Sequence, residues 1–178
     1  TFAFACGGCT FAFACGSGSF GGVKLVSSSV EGRRRPRLLA LRVVFKTRVL
    51  ENDYTKRIFL VRDIWSLLEQ RCIARLYSTF SDADHLYFLM EYCHGGDLFQ
   101  LLHDDSRQLP TGRFGGMTPS HAKFYAANVL TILRVLQDNS IVHRALCPEN
   151  MLIDRSGYLK LGSFEVSKKL ESGQQTGT

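Results

Sequence analysis

Short, largely apolar stretches separated by polar residues occur along the first half of the chain, and they predict β-strands. The heptad Thr-Phe-Ala-Phe-Ala-Cys-Gly occurs twice, over residues 1–7 and 10–16. Its period of two is typical of a strand, whereas two copies are too few for a solenoid. We interpret the repeat as a duplicated edge ahead of the first regular strand. Further short strands are predicted over residues 22–27, 38–45, 74–80 and 86–92.

After residue 52 the apolar residues follow the period of a helix instead of the period of two. Asn52 and Asp53 can cap a helix that runs to about Glu69. Its apolar residues have the spacing i, i+3, i+7, i+10, which predicts one buried stripe. The stripe consists of Ile58, Val61, Trp65 and Leu68.

The second half of the chain is predicted to be mainly helical. A helix begins at Thr118 and Pro119, with the threonine as its cap and the proline in its first turn. It follows a polar, glycine-containing insert over residues 104–117 and precedes a small hairpin over residues 151–161. Its predicted buried face is formed by Tyr125, Val129, Leu133 and Leu136. Strands first and helices later predict an α+β fold with two lobes.

Composition and charge narrow the class of protein. The 178 residues are 45% hydrophobic and 21% charged, which suits a globular domain with a real core. The net charge of +6 is too dispersed to predict a nucleic-acid partner. The basic run at residues 33–37 is interpreted as a solvated loop, with a docking patch for phosphate or acidic lipid as the alternative. The chain runs from Thr1 to Thr178, and we expect it to be a fragment of a longer protein.

No apolar run reaches the roughly 18 residues of a membrane span, and no signal peptide is visible. The six cysteines lack the spacing of a disulfide framework, so a reduced, cytoplasmic protein is predicted. Cys6 and Cys9 form a Cys-x-x-Cys motif. A redox or metal site there is the alternative to an incidental match, and no histidine lies close in sequence to support it.

Five motifs follow one another at regular positions, and together they resemble a known family. The motifs are Gly16-Ser17-Gly18-Ser19-Phe20-Gly21-Gly22-Val23, Ala40-Leu41-Arg42, Leu89-Met90-Glu91-Tyr92-Cys93-His94-Gly95-Gly96-Asp97-Leu98, His143-Arg144 with Pro148-Glu149-Asn150, and Ser163-Phe164. In this order they resemble the eukaryotic Ser/Thr protein kinases of the AGC group, most closely the cGMP-dependent protein kinases. The resemblance covers about residues 15–178. It implies a β-rich N-lobe with its hinge at residues 15–93 and a partial helical C-lobe at residues 94–178, after an extension at residues 1–14.

The resemblance implies an ATP site with a glycine loop, an adenine slot and a hinge. Glycines leave the loop backbone open to phosphate because they carry no Cβ. The residues implied to contact the nucleotide are Cys15, Gly16, Gly18, Gly21, Val23, Ala40, Arg42, Met90, Glu91, Cys93, Asp97 and Leu152. Asp97 is the expected acceptor of a ribose hydroxyl.

The chain departs from the family at the positions that carry the chemistry. Arg42 replaces the strand lysine, and Val61 replaces its glutamate partner on the helix. Ala145 replaces the catalytic aspartate, Cys147 the lysine that follows it, and Ser163 the metal-binding aspartate. Neither Lys24 nor Lys46 is positioned on its strand to stand in for the lysine.

Two candidate metal ligands remain. Asn150 is a metal ligand in the family, and Glu165 replaces a glycine. Glu165 would share a face with Ser163 if this segment were extended; the alternative is a solvated glutamate. The resemblance also implies a column of side chains formed by Leu76, Trp65, Phe164 and His143.

The sequence therefore predicts a pseudokinase that binds ATP weakly, has a poor Mg²⁺ site, and acts as a scaffold or regulator toward a protein partner. The first alternative is an active Ser/Thr kinase that transfers the γ-phosphoryl of ATP to protein hydroxyls. The second is a non-functional relic.

Overall fold

The computed structural model describes residues 37–104 and 116–170, together with two short stretches, 21–28 and the backbone of 9–18. Its elements in chain order are β1 (Cys9–Gly18), β2 (Gly21–Ser28), β3 (Arg37–Phe45), α1 (Lys46–Glu51), α2 (Thr55–Leu67), β4 (Leu76–Ser81), β5 (His85–Glu91), α3 (Leu98–Leu102), α4 (Pro119–Asp138), β6 (Ile141–Val142), a 3₁₀ turn (Pro148–Asn150), β7 (Met151–Ile153), β8 (Leu159–Leu161) and β9 (Lys168–Lys169). The predicted α+β class is confirmed. The basic run before residue 37, most of the polar insert and the first copy of the heptad lie outside the described residues.

The chain divides into two compact units, residues 1–62 with 75–92, and residues 63–74 with 93–178. The domain limits predicted from the sequence, at residues 14 and 93, rest on the family resemblance and stay predictions.

The first unit is built on an antiparallel five-stranded sheet with the order β1-β2-β3-β5-β4. The second copy of the heptad lies in β1, as its alternation predicts. Strand β3 is central in the sheet. Leu39, Leu41 and Val43 cluster with Val26 on one face, while Ala40 and Val44, on either side of Arg42, are buried on the other. A strand that is largely covered on both faces reads as a mainly apolar run.

Two helices, rather than the one predicted, follow β3. Asn52 is the C-cap of α1 and its Nδ2 donates to the carbonyl of Arg48, while Asp53 has a positive φ of 49°. The predicted cap at these residues is therefore wrong, because short polar side chains also suit helix ends and left-handed turns. The predicted stripe on α2 is correct, since Ile58, Val61 and Trp65 are all buried.

The turn between β4 and β5 is organised by Asp82. Its carboxylate accepts hydrogen bonds from the backbone N–H groups of Asp84 and His85, at 2.9 and 2.7 Å, and from the hydroxyl of Tyr87 at 2.7 Å. The Tyr87 hydrogen bond is the largest of the causes that hold the pKa of Asp82 far below its usual value. Burial, with the Asp82 carboxylate next, raises the pKa of Tyr87 to about 12.

In the second unit, α4 begins where the sequence predicts. Thr118 is the N-cap and Pro119 the first helical residue, and the Thr118 hydroxyl accepts from the N–H of His121 at 3.3 Å. The predicted buried face is confirmed at Leu136, and Tyr125 and Val129 are half-buried. It is wrong at position 133, where Leu133 is 43% exposed and its neighbour Ile132 is buried instead. Neighbouring residues on a helix lie about 100° apart, so a shift of one position moves a side chain off the buried stripe.

The second unit is completed by short antiparallel pairs. Strands β7 and β8 form the predicted hairpin around a turn in which the Asp154 carboxylate accepts from the N–H groups of Ser156 and Tyr158. The N–H of Leu159 donates to the side chain of Asn128 on α4 at 3.2 Å, which fixes the hairpin to that helix. No helix in the described part of the chain is long and apolar enough to cross a membrane.

Candidate functional site

The glycine motif lies on the first two strands of the first unit. Gly16 and Gly18 belong to β1, Gly21 begins β2, and Gly18 is paired with Gly21. A Cβ at Gly21 would lie 1.8 Å from the carbonyl oxygen of Val43 on β3. Glycine is therefore required at this position by the neighbouring strand, independently of any phosphate. Residues 19–20, between the strands, lie outside the described part.

The candidate adenine and phosphate residues of the first unit occupy neighbouring rungs of the sheet. Ala40 on β3 is paired with Met90 on β5, and both are buried. Arg42 lies two residues further along β3, between Val23 and Phe88. The sheet therefore brings Val23, Ala40, Arg42 and Met90 together, as the resemblance implies.

Neither Lys24 nor Lys46 is placed to act as the lysine that the resemblance implies at position 42 of β3. Lys24 is exposed on β2. Lys46 begins α1, and its Nζ donates to the carbonyl of Asp82 in the β4–β5 turn at 2.6 Å. Val61, where the family has a glutamate, is only 1% exposed.

The residues predicted to form the hinge and to bind the ribose also have structural roles in the fold. The carboxylate of Glu91 accepts from the N–H of Arg75 at 3.2 Å, and Cys93 is buried. Asp97 is the N-cap of α3, and its Oδ1 accepts from the N–H of Gln100 at 2.7 Å. Oδ1 of Asp97, the predicted acceptor of a ribose hydroxyl, is therefore already used to cap α3. Asp97 also forms a backbone bridge with Leu152.

The loop at residues 143–150 of the second unit has its backbone held in place but carries no carboxylate at position 145. Asn150 donates through Nδ2 to the carbonyl of Ala145 at 2.9 Å and to the Sγ of Cys147 at 3.2 Å. Burial, followed by the neighbouring Glu149, raises the pKa of the Cys147 thiol above its usual value. A methyl group and a neutral thiol therefore stand where the family has an aspartate and a lysine.

Arg144 supports this loop in a way that the sequence motif did not reveal. It has a positive φ of 65°, and its Nε donates to the carbonyl of Val166 at 2.6 Å. Positive φ is uncommon for arginine and is retained only where surrounding contacts hold it. In the sequence, the only signal for Arg144 was its position directly after His143 in the motif. The sequence did not indicate that Val166 would be its hydrogen-bond partner.

His143 fixes the backbone at Ser163. Its Nε2 lies 2.5 Å from the carbonyl oxygen of Ser163, and its Nδ1 is buried without a hydrogen bond of normal geometry to any described residue. Burial lowers the pKa of His143 below its usual value, and the backbone of Ser163 and Ala145 opposes that shift. Because a carbonyl oxygen can only accept, His143 donates from Nε2 to Ser163.

Three members of the predicted hydrophobic column meet in the second unit. The ring of Phe164 lies 5.5 Å from that of Trp65 and 5.6 Å from that of His143. Phe164 is fully buried, and the indole N–H of Trp65 donates to the carbonyl of Ala74 at 2.7 Å. The fourth member, Leu76, belongs to the first unit.

The segment after Ser163 turns, so the geometry assumed for a metal ligand at Glu165 is wrong. The N–H of Ser167 donates to the carbonyl of Phe164 at 3.0 Å, and Glu165 lies inside this turn. Mg²⁺ prefers carboxylate and phosphate oxygens in octahedral geometry, whereas Ser163 and Asn150 offer only neutral oxygens. Among the described residues no group of three or more His, Cys, Asp or Glu side chains converges. At Ser163 and Asn150 the side chains therefore offer no carboxylate to a metal ion.

Comparison with known proteins agrees with this arrangement of motifs. The family described as "Protein kinase domain" matches residues 12–178. The chain belongs to the protein kinase family. Members of this family use ATP as a substrate, generally with Mg²⁺.

The relatives include cyclic-nucleotide-dependent kinases. The chain is 38% identical over 161 residues to a cGMP-dependent protein kinase of Caenorhabditis briggsae, covering 90% of the chain and 20% of the relative. It is 34% identical over 161 residues to a cGMP-dependent protein kinase of Drosophila melanogaster, covering 90% of the chain and 16% of the relative. It is also 35% identical over 156 residues to the cAMP-dependent protein kinase catalytic subunit of Schizosaccharomyces pombe, 88% of the chain and 28% of the relative. The chain thus spans about a fifth of the length of the cGMP-dependent relatives.

Proposed function

We infer that this kinase domain does not transfer phosphate and acts as a pseudokinase toward a protein partner, with weak residual binding of ATP. The observation that carries the proposal is Ala145. The hydrogen bond from Asn150 holds the carbonyl of this residue, so the loop is formed while its side chain is a methyl group.

The missing groups act at different points of phosphoryl transfer. Ala145 has no oxygen to orient or deprotonate an attacking hydroxyl, and loss of a general base typically costs about 10²–10⁴ in rate. Ser163 offers no charge to a metal ion. Because phosphoryl transfer depends mainly on positioning and electrostatic stabilisation, these two changes weaken the same transition state.

A scaffold or regulatory role agrees with what each unit retains. The first unit keeps the glycine strands and the Ala40–Met90 pair. The second unit keeps the packing of Trp65, Phe164 and His143. The relatives are named protein kinases, and the partner class that follows from this is a protein.

An active Ser/Thr kinase is the second candidate. Two observations favour it: Arg42 keeps a positive charge on β3, and the family metal ligand Asn150 is present. Losses of groups that act together are not additive, so the substitutions do not by themselves multiply into complete inactivity.

The deciding experiment is a transfer assay with labelled ATP, a basic peptide, and Mg²⁺ or Mn²⁺. We expect turnover by the chain to equal that of its Asn150→Ala variant, which serves as the inactive control. Turnover clearly above that control would overturn the pseudokinase proposal and establish the active kinase.

A further inference from the structure

Tyr77 lies at an irregular position on the edge of the sheet in the first unit. Strand β4 is an outer strand, and its pairing passes from Leu76 opposite Met90 to Ser78 opposite Leu89, so that Tyr77 falls in a register shift. Bulges of this kind redirect a side chain and are frequent at sheet edges. The ring is half-buried against the apolar cluster that contains Leu41.

Two guanidinium groups approach this ring from different parts of the chain. The guanidinium carbon of Arg37, at the start of β3, is 4.4 Å from the ring centroid, and that of Arg75, just before β4, is 5.5 Å away. Arg37 also donates a hydrogen bond to the Tyr77 hydroxyl, and this bond is exposed to solvent. Stacking of arginine on tyrosine is common. The hydrogen bond adds a cation at the phenolic oxygen itself, where a modifying group would be attached.

We propose that Tyr77 is a tyrosine phosphorylation site whose phosphate is bound by Arg37 and Arg75. A tyrosine-directed kinase transfers the γ-phosphoryl group of ATP to Tyr77 Oη. The hydroxyl proton passes to a base of that kinase, Tyr77 Oη forms the new bond to the γ-phosphorus, and the bond from that phosphorus to the β–γ bridging oxygen breaks, so that ADP leaves with its electron pair. The product carries a charge of about −1.5 to −2 at pH 7 and three acceptor oxygens. Arginine is suited to such a group because it donates two parallel hydrogen bonds.

The surroundings distinguish Tyr77 from another tyrosine of the same sheet. The hydroxyl of Tyr87 donates to the carboxylate of Asp82, which would repel a phosphate. Near Tyr77, the carboxylate of Glu91 accepts from the backbone N–H of Arg75. The Arg37 guanidinium is the closer of the two to the ring and donates to the Tyr77 hydroxyl, so Arg37 is the principal ligand.

The first test asks whether the hydroxyl is accessible in the folded chain. A tyrosine kinase is selected because it phosphorylates a synthetic peptide of residues 72–82, and is then applied with ATP to the native 178-residue chain. Mass spectrometry reads the modified positions. We expect phosphorylation of Tyr77 in the native chain, with Tyr77→Phe as the control. A kinase that modifies the peptide but leaves Tyr77 of the folded chain unmodified overturns the proposal.

The second test asks whether the arginines bind the phosphate. Phosphotyrosine is incorporated at position 77 during synthesis of the chain, and in a separate sample at position 158, where the native tyrosine is 54% exposed. Phosphorus NMR then follows the second ionisation of each phosphate. Two nearby cations lower a pKa by about one unit or more, so we expect the midpoint at position 77 to lie about one unit below that at 158 and to return toward it in Arg37→Gln.

Equal midpoints at positions 77 and 158 contradict the proposed role of the arginines, and so does a midpoint at position 77 that Arg37→Gln leaves unchanged. The comparison of the two positions needs no substitution of arginine. It therefore remains decisive if an arginine variant folds poorly.

Discussion

At the scale of single residues, Val61 lies on helix α2 at the position where the family resemblance implies a glutamate. The residue is 1% exposed and continues the apolar stripe of Ile58 and Trp65. A buried valine adds to packing, whereas a buried carboxylate must be compensated by a partner or be neutralised. A valine at this position therefore favours packing, where a carboxylate would need compensation.

We therefore predict that Val61→Glu destabilises the chain. The expected loss is about 2–4 kcal/mol in the free energy of unfolding, because a carboxylate is placed in a desolvated site. Ser66→Glu, at an exposed position of the same helix, is the matched control and should change stability by no more than about 0.5 kcal/mol. Denaturant unfolding measures both variants. An unchanged or raised stability of Val61→Glu would show that Arg42 or another group accommodates the charge.

The burial of His143, also at the scale of single residues, leads us to predict that the free energy of unfolding depends on pH. Burial lowers its pKa in the folded state relative to the unfolded state, so the unfolded chain binds this proton more readily. The free energy of unfolding should then fall as pH decreases from about 6.5, the ordinary value for histidine, toward the lower folded pKa, and should be unaffected by this group above 6.5.

Thermal unfolding between pH 7.5 and 5 tests this, with His143→Gln compared against His121→Gln, whose native side chain is exposed. The slope should be reduced in His143→Gln and retained in His121→Gln. Identical slopes in all three proteins would mean that His143 is not the group responsible.

At the scale of elements, the ends of the helices separate local from tertiary control. Helix α4 begins at a Thr-Pro pair whose preferences are local: the threonine caps, and the proline has no N–H to leave unpaired. The sequence does not predict helix α1, because the helix begins at Lys46 directly after β3 and the side chain of the N-cap residue Phe45 makes no capping hydrogen bond. The backbone N–H of Lys46 is bound instead by the carbonyl of Asp84 in the β4–β5 turn, a contact that sequence spacing does not reveal.

The Thr118 cap yields a prediction about α4. Thr118→Ala removes the acceptor for the N–H of His121 and should lower stability by about 1 kcal/mol. Thr118→Ser keeps the hydroxyl and should leave stability nearly unchanged. Urea unfolding followed by helical circular dichroism compares the two, and an equal loss in both variants would indicate that the threonine methyl group, rather than the cap, matters.

At the scale of the whole molecule, the chain belongs to the protein kinase family, and we propose that it keeps the frame of the domain without the charges that the reaction uses. The frame depends on apolar burial and backbone pairing, which tolerate the replacement of individual polar groups. Metal binding depends on carboxylates at fixed positions, and Ser163 cannot supply one. Nucleotide binding and metal binding should therefore be uncoupled in this protein.

We predict that Mg²⁺ increases the affinity for ATP by less than tenfold, equivalent to about 1.4 kcal/mol. Calorimetric titration of ATP with and without Mg²⁺ measures the gain. The matched variant Ser163→Asp restores a carboxylate and should show a larger dependence on the metal. A gain of tenfold or more in the unaltered chain would mean that its neutral ligands hold the ion.

The sequence by itself determined the strands of the first unit, the start of α4, the stripe on α2 and the order of the kinase motifs. Each of these rests on short-range periodicity, on the intrinsic preference of a residue, or on residue identity. It also indicated which catalytic groups are missing, since the absence of a carboxylate at Ala145 is visible without coordinates.

Tertiary structure decided the features that depend on distant residues. Asn52 ends one helix instead of beginning another, Ile132 rather than Leu133 is buried, and the chain turns at Glu165. Gly21 is required by a carbonyl of β3, and Arg144 holds Val166. In each case the determining partner is a backbone group or a packing surface supplied by another part of the chain, and no local pattern of hydrophobic and polar residues specifies it.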